Sequence, residues 1–149
     1  MAARGLYFDS ALLAKFYLNE PGRDAVRDLA GSAGSVCSSA IAVAEVCGAF
    51  QRKLRERSIN AEAFRSLSGQ FAHDVARNLW TLIPLSEAIL ESVQTRYSHL
   101  DAKVFLRALD AIHLVTAKSE GFAQVYTNDR QVLGGCAALG LRGVNPLPA

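Results

Sequence analysis

The sequence of 149 residues is short of the features that mark disulfide scaffolds and membrane spans. It has three cysteines, Cys37, Cys47 and Cys136, an odd number spread widely through apolar surroundings. No Cys-x-x-Cys pair or His/Cys cluster accompanies them. They therefore read as buried structural thiols in a reducing, cytoplasmic setting, and not as a disulfide framework or a zinc site. No uninterrupted apolar run approaches the ~20 residues of a membrane span. No charged segment leading into an apolar one marks a secretory leader at the start. An excess of one charge is missing too: Lys and Arg total 16, Asp and Glu 14, for a formal net charge of +2. That balance permits a nucleic-acid partner without arguing for one. There is no Gly-rich phosphate loop, and no Ser-His-Asp or Cys-His arrangement that would supply a nucleophile.

What is present is globular. Hydrophobic residues make up 50 % of the chain and charged residues 20 %, enough for one domain with a real core. With no repeat, low-complexity segment or linker, residues 1–149 read as one domain. The organising stretch is Arg4 to Ser10. Leu6, Tyr7 and Phe8 show no polar alternation, as in a strand covered on both faces, and Asp9 follows where a helix begins, running to Leu18. Further elements follow in order: a helix near residues 23–30, a strand at 35–39, and a long helix from Ala40 to about Arg57. A helix N-capped by Asn60 then runs to about Leu79, before a strand at 80–85 and a helix from Ser86 to about Tyr97. An apolar helix after Asp101 carries Val104, Phe105, Leu106, Leu109, Ile112, Leu114 and Val115, and should be largely buried. A strand at 124–127, a short helix from Asn128 to Gly140 and a strand at 141–144 close the chain. Strands alternating with helices predict an α/β domain, with a mostly parallel sheet of four to five strands covered on both faces.

Four acids stand out against this background. Asp9 and Asp129 follow strands; Glu45 and Asp110 sit in otherwise apolar helical turns. A carboxylate in such a setting is costly unless it is paired, solvated by a cleft or bound to metal. Each has an ordinary reading: Asp9 and Asp129 as helix N-caps, Glu45 on a solvated face, Asp110 paired with Arg107 or His113. Together they read better as a set converging at one edge of the sheet, where open α/β sheets bind ligands. Convergent carboxylates suit a hard cation such as Mg²⁺ or Mn²⁺, whose usual work is phosphoryl chemistry.

The motifs resemble those of the PIN-domain family, most closely the VapC-type toxins of VapBC toxin–antitoxin pairs. The stretch Leu6 to Glu20 is similar to the family's first motif and Ser39 to Val46 to its second. Leu106 to Ala117 is similar to the third and is the most specific. Val125 to Leu133, with the later Ala138 to Leu141 and Asn145-Pro146, resembles the closing motif. The resemblance implies a three-layer α/β/α domain with metal-binding and catalytic acids at Asp9, Glu45, Asp110 and Asp129, assisted by Thr127. One position departs from the pattern: Ala11 stands where a Ser or Thr is common, and Ser10 next door is the available hydroxyl. The implied activity is a Mg²⁺- or Mn²⁺-dependent endoribonuclease that hydrolyses RNA phosphodiesters with a metal-activated water. It would be a homodimer, held inactive by a cognate antitoxin, with no membrane association. The lone-domain length favours a toxin over an RNA-processing PIN nuclease; a PIN fold that only binds a partner is a further alternative. A phosphate-accepting receiver-like domain would need a lysine after a late strand, where Asn128-Asp129 stand instead.

Other residues are ambiguous on sequence alone. Arg52, Lys53, Arg55 and Arg57 suit a helix C-terminus and also RNA phosphates. Arg130 neighbours Asp129 and could approach a phosphate. Trp80, Tyr97 and Tyr126 read as packing aromatics more than base-stacking ones. The stripe Phe64, Leu67, Phe71 is core, dimer face or antitoxin surface.

Overall fold

The computed structural model describes residues 5–148. Strands β1 (Leu6–Tyr7), β2 (Val36–Ser39) and β3 (Trp80–Ile83) form one parallel sheet in the order β1-β2-β3. Strands β4 (Gln124–Tyr126) and β5 (Arg142–Val144) pair in parallel. A parallel bridge from Phe8 to Tyr126 joins the two sets, so the strands run β3-β2-β1-β4-β5. Among the described residues the α-helices are α1 (Ser10–Tyr17), α2 (Arg23–Ser32), α3 (Ala42–Arg55), α4 (Ala61–Ala76), α5 (Glu87–Ser98), α6 (Ala108–Ser119) and α7 (Arg130–Cys136).

The sheet is buried on both sides because successive strand residues point to opposite faces. Tyr7 packs with Ile89, Leu114, Val125 and Val132 on the side of α5, α6 and α7. Phe8, its neighbour, packs with Leu12, Val26, Phe50 and Phe71 on the side of α1 to α4. The result is the expected three-layer α/β/α arrangement. Gly5 immediately precedes β1 at φ 85°, and a Cβ there would lie 2.2 Å from the Ser35 carbonyl oxygen. Only glycine combines that backbone with that approach.

The face under α1 to α4 is set by aromatic edges. Tyr17 lies edge-on to Phe16, Phe50, Phe71 and Trp80, with ring centroids 5.1 to 6.3 Å apart. Its hydroxyl donates to Asp74 Oδ2 at 2.6 Å and accepts from Trp80 Nε1 at 2.8 Å, while Gln70 Nε2 donates to Asp74 Oδ1 at 2.8 Å. One hydroxyl thus ties α1, α4 and β3 together. Of the expected stripe on α4, Phe71 is buried, with Phe64 and Leu67 packed at the margin of the same core. Trp80 is core, Tyr126 packs at the edge of it, and Tyr97 donates its hydroxyl to the Leu106 carbonyl at 2.6 Å.

Three local expectations are corrected. The apolar helix begins at Ala108, not after Asp101. Asp101 instead caps a turn by accepting from the Lys103 N–H at 2.8 Å, and Arg107 is extended, with φ −72° and ψ 152°. Leu106 still drives its side chain into the core, but Phe105 is 62 % exposed. The helix after Asn60 stops at Ala76, because Asn78 takes a left-handed φ of 56° that a continuing helix cannot hold. Cys47 is exposed on α3, whereas Cys37 and Cys136 are buried; all three are free thiols. No helix among the described residues is long and apolar enough to cross a membrane.

The Tyr17 network makes a direct forecast. Tyr17→Phe keeps the ring packing and strands two buried polar groups, the Trp80 N–H and Asp74 Oδ2. Each unmet group costs about 1–3 kcal/mol, so the variant should lose roughly 2–4 kcal/mol in urea unfolding. A loss below ~0.5 kcal/mol would show that the hydroxyl does not hold the three elements.

Candidate active site

In a parallel sheet the helices run back against the strands, so they begin at the carboxyl edge. Four of them start with an acid that faces one cleft. Asp9 is the N-cap of α1 and Asp129 the N-cap of α7; Glu45 lies in the first turn of α3 and Asp110 in that of α6. A helix N-terminus carries partial positive charge from its unpaired N–H groups, which favours a carboxylate there. All four acids line one cleft of about 680 Å³ beside the β1–β4 junction. The ordinary and the functional readings therefore coincide: Asp9 and Asp129 do cap helices, and the caps face one crevice.

Each acid has a protein partner. Asp9 is 2 % exposed, so it forms the floor. Its Oδ1 accepts from the Leu12 N–H at 3.1 Å and its Oδ2 from the Thr127 hydroxyl at 2.5 Å. The same hydroxyl oxygen accepts from the Asp129 N–H at 2.9 Å. Thr127 thus supplies Asp9 with a hydroxyl where Ala11 has none. Ser10 lines the cleft beside Ala11. Burial pushes the Asp9 carboxyl up to about 6, against the pull of the Thr127 hydroxyl, the nearby His113 and the Leu12 N–H.

Asp110 and Asp129 share one cation. Arg107 Nε donates to Asp110 Oδ2 at 2.5 Å and Nη2 donates to Asp129 Oδ2 at 2.7 Å. Burial alone would raise the Asp129 carboxyl. The Arg107 guanidinium and the Gln131 N–H outweigh it and hold that carboxyl below the usual range. Of the two partners expected for Asp110, Arg107 is the one used. His113 turns instead to Glu45, with Nε2 2.7 Å from Oε1, and its Nδ1 lies 2.9 Å from the Tyr7 hydroxyl. Burial holds the Tyr7 phenol far above its ordinary range, so it stays protonated. A carboxylate oxygen can only accept, so the bond between His113 and Glu45 is donated from Nε2.

The opposite wall is basic. Lys15 of α1 and Arg52 and Lys53 of α3 line the cleft, and Glu20 pairs with Lys15 at 2.9 Å and Lys53 at 3.7 Å. Of the four cationic residues expected near the end of α3, only Arg52 and Lys53 face this space; Arg55 bonds Gln51. Arg130 is exposed and does not line it. Sequence reasoning did not find Lys15, Asn128 or the Tyr7–His113–Glu45 chain. The available signal was a histidine inside an apolar helix, which needs polar partners from elsewhere.

The donor set fits a hard divalent cation, since every acid offers carboxylate oxygen and the cleft wall adds Asn128, whose buried Oδ1 has no partner among the described residues. In the arrangement seen, no three His, Cys, Asp or Glu side chains among the described residues are drawn close enough to hold an ion. Arg107 occupies the position between Asp110 and Asp129, and supplies positive charge there.

Comparison with known proteins agrees with this geometry. The fold is similar to that in the crystal structure of FitAcB from Neisseria gonorrhoeae, with a TM-score of 0.75 and 22 % identity over 95 % of this chain and 97 % of that one. It is similar to Mycobacterium tuberculosis VapC20, described as a sarcin-ricin loop cleaving toxin, with a TM-score of 0.64 and 12 % identity over 85 % and 92 %. A toxin–antitoxin complex from Klebsiella pneumoniae gives a TM-score of 0.63 and 18 % identity over 97 % and 99 %. No curated protein matches by sequence. The PIN domain pattern itself matches residues 6–133, which takes in all four acids and every element from β1 into α7, and the chain belongs to the PIN-domain family.

Proposed function

We propose that this chain is a Mg²⁺- or Mn²⁺-dependent endoribonuclease and the toxin of a type II toxin–antitoxin pair. The observation that carries the reading is the convergence of Asp9, Glu45, Asp110 and Asp129 on one cleft whose far wall is basic. Membership of the PIN family supports the nuclease class, and the likeness to VapC20 and the Klebsiella toxin–antitoxin complex supports the toxin and a protein antitoxin as partner. Around α5 and the start of α6, Leu90, Tyr97, Phe105 and Leu109 are each at least 38 % exposed. That much apolar surface supports the homodimer implied by the family.

The residues divide the work by position. Asp9, Glu45, Asp110 and Asp129 would hold the metal, which when bound supplies an activated water and positive charge against the phosphate. Thr127 fixes the Asp9 carboxylate, and His113, itself fixed by Tyr7, aims Glu45. Lys15, Arg52 and Lys53 would take the phosphates flanking the scissile one, adding salt dependence to RNA binding.

The test combines cleavage with toxicity. Wild-type protein should cut a mixed RNA pool in Mn²⁺ and stop when chelator is added; Asp9→Asn and Asp110→Asn should fold and not cut. Induced in cells, wild type should arrest growth, Asp110→Asn should not, and co-expressed antitoxin should relieve the arrest. Cleavage by a folded Asp110→Asn variant would overturn the site. Nuclease activity without growth arrest would turn the reading to an RNA-processing PIN protein.

A second forecast concerns pH. A buried carboxyl raised from 3.8 to about 6 binds its proton more tightly in the folded state. Its contribution to metal-free stability is therefore full below 3.8 and lost as pH rises through about 6. A bound cation works in the other direction, because it needs the ionised acid. At ~100 times its dissociation constant it adds about 2.7 kcal/mol, or roughly 5–10 °C for a chain this size. That Mn²⁺-induced rise in melting temperature should be full at pH 7.5 and shrink as pH falls below 6. An equal rise at both pH values would remove Asp9 from the ligand set.

A further inference from the structure

We infer that Arg107 is the site's resident counter-ion, one that a divalent cation displaces and that then passes to the substrate phosphate. This rests on the reading of Asp110 and Asp129 as metal ligands. Three observations carry it. The guanidinium uses two different nitrogens, Nε and Nη2, to span carboxylates from two successive helices, α6 and α7. It thereby places one positive charge between the two acids of the α6 and α7 N-termini. Its backbone lies outside the helix, extended at the N-cap with no side-chain capping bond, and its side chain is 46 % exposed. The arm is therefore anchored by Asp110 and Asp129 and not by packing. Asp110, by contrast, is in a helix that is buried from residue 110 to 117 and cannot follow it out.

Both Arg107 bonds go to Oδ2 atoms, so a cation drawn between Asp110 and Asp129 competes with Arg107 for them. A guanidinium is a weakly hydrated single charge, and a half-exposed ion pair is worth little, so a divalent ion can take both oxygens. Arg107 lines the same cleft as Lys15, Arg52 and Lys53. Once released it remains tethered at the mouth, and its planar fork matches the two free oxygens of a phosphodiester. The residue that neutralises the acids in the metal-free state becomes a phosphate-positioning residue in the loaded one. No bond is made or broken; only the partners of one cation change.

The test uses the full chain, stripped with chelator, as wild type, Arg107→Gln and Arg107→Lys. Calorimetric titration with Mn²⁺ should show Arg107→Gln binding roughly three- to tenfold more tightly than wild type, because the competing cation is gone. Arg107→Lys keeps the charge without the fork and should fall between them. In chelator, Arg107→Gln should melt below wild type; in saturating Mn²⁺ the gap should close. Binding of a short single-stranded RNA in Ca²⁺, read by fluorescence anisotropy, should weaken in Arg107→Gln, with its salt slope reduced by about 0.7. Equal or weaker Mn²⁺ binding by Arg107→Gln overturns the inference and leaves the metal site standing. Tighter Mn²⁺ binding with unchanged RNA affinity and slope overturns the passage to phosphate. No Mn²⁺ binding by any of the three proteins overturns the metal reading as well.

Discussion

Like charges gathered at short range must be compensated before a chain can fold around them, and here the compensation comes from backbone direction. Because all the paired strands are parallel, the helices that return across them start at the same edge. Asp9, Glu45, Asp110 and Asp129 each stand at such a start, next to unpaired N–H groups. The Leu12 and Gln131 amides take one oxygen each from Asp9 and Asp129. Capping consumes only one oxygen of each of these carboxylates, and a side chain meets the other, Thr127 for Asp9 and Arg107 for Asp129. The fold can thus hold four acids together at a cost spread over four helices.

The remaining charge is met side chain by side chain. Thr127 serves Asp9, His113 serves Glu45, and Arg107 serves Asp110 and Asp129 at once. The Thr127 hydroxyl is a neutral donor and Arg107 a permanent cation. A neutral donor orients a carboxylate without competing for the charge it offers, as Thr127 does for Asp9. Arg107 does compete, and it holds Asp110 and Asp129 together. Asp9 is therefore pre-arranged, while Asp110 and Asp129 must exchange partners.

Much of this was legible in the sequence because the signals are local. The unbroken apolar run at Leu6–Phe8 announced a strand covered on both faces, and Tyr7 and Phe8 do enter separate cores. Asn60 and Ser86 mark helix starts by accepting backbone N–H bonds, as their residue types suggest. An acid in the middle of Leu109 to Leu114 stood out for the cost of burying it. The start of α6 was not legible: Val104 to Leu106 continue the apolar pattern, but a tertiary bond from Tyr97 claims the Leu106 carbonyl and the backbone stays extended. Nor were the long-range partners, since Tyr7 and His113 are 106 residues apart and Arg107 and Asp129 are 22 apart. Spacing could offer Arg107 to Asp110 one turn away, but not the second acid that makes Arg107 a bridge.

Diffraction from crystals soaked in Mn²⁺, with anomalous data at the manganese edge, decides whether the acids form one cation site with Arg107 as its exchangeable counter-ion. An anomalous peak is expected within ligand distance of Asp9, Asp110 and Asp129 carboxylate oxygens, ~2.0–2.3 Å away, with the Arg107 guanidinium withdrawn from both acids. A fully occupied peak elsewhere, or a cleft without manganese in which Arg107 still bridges Asp110 and Asp129, would overturn that reading.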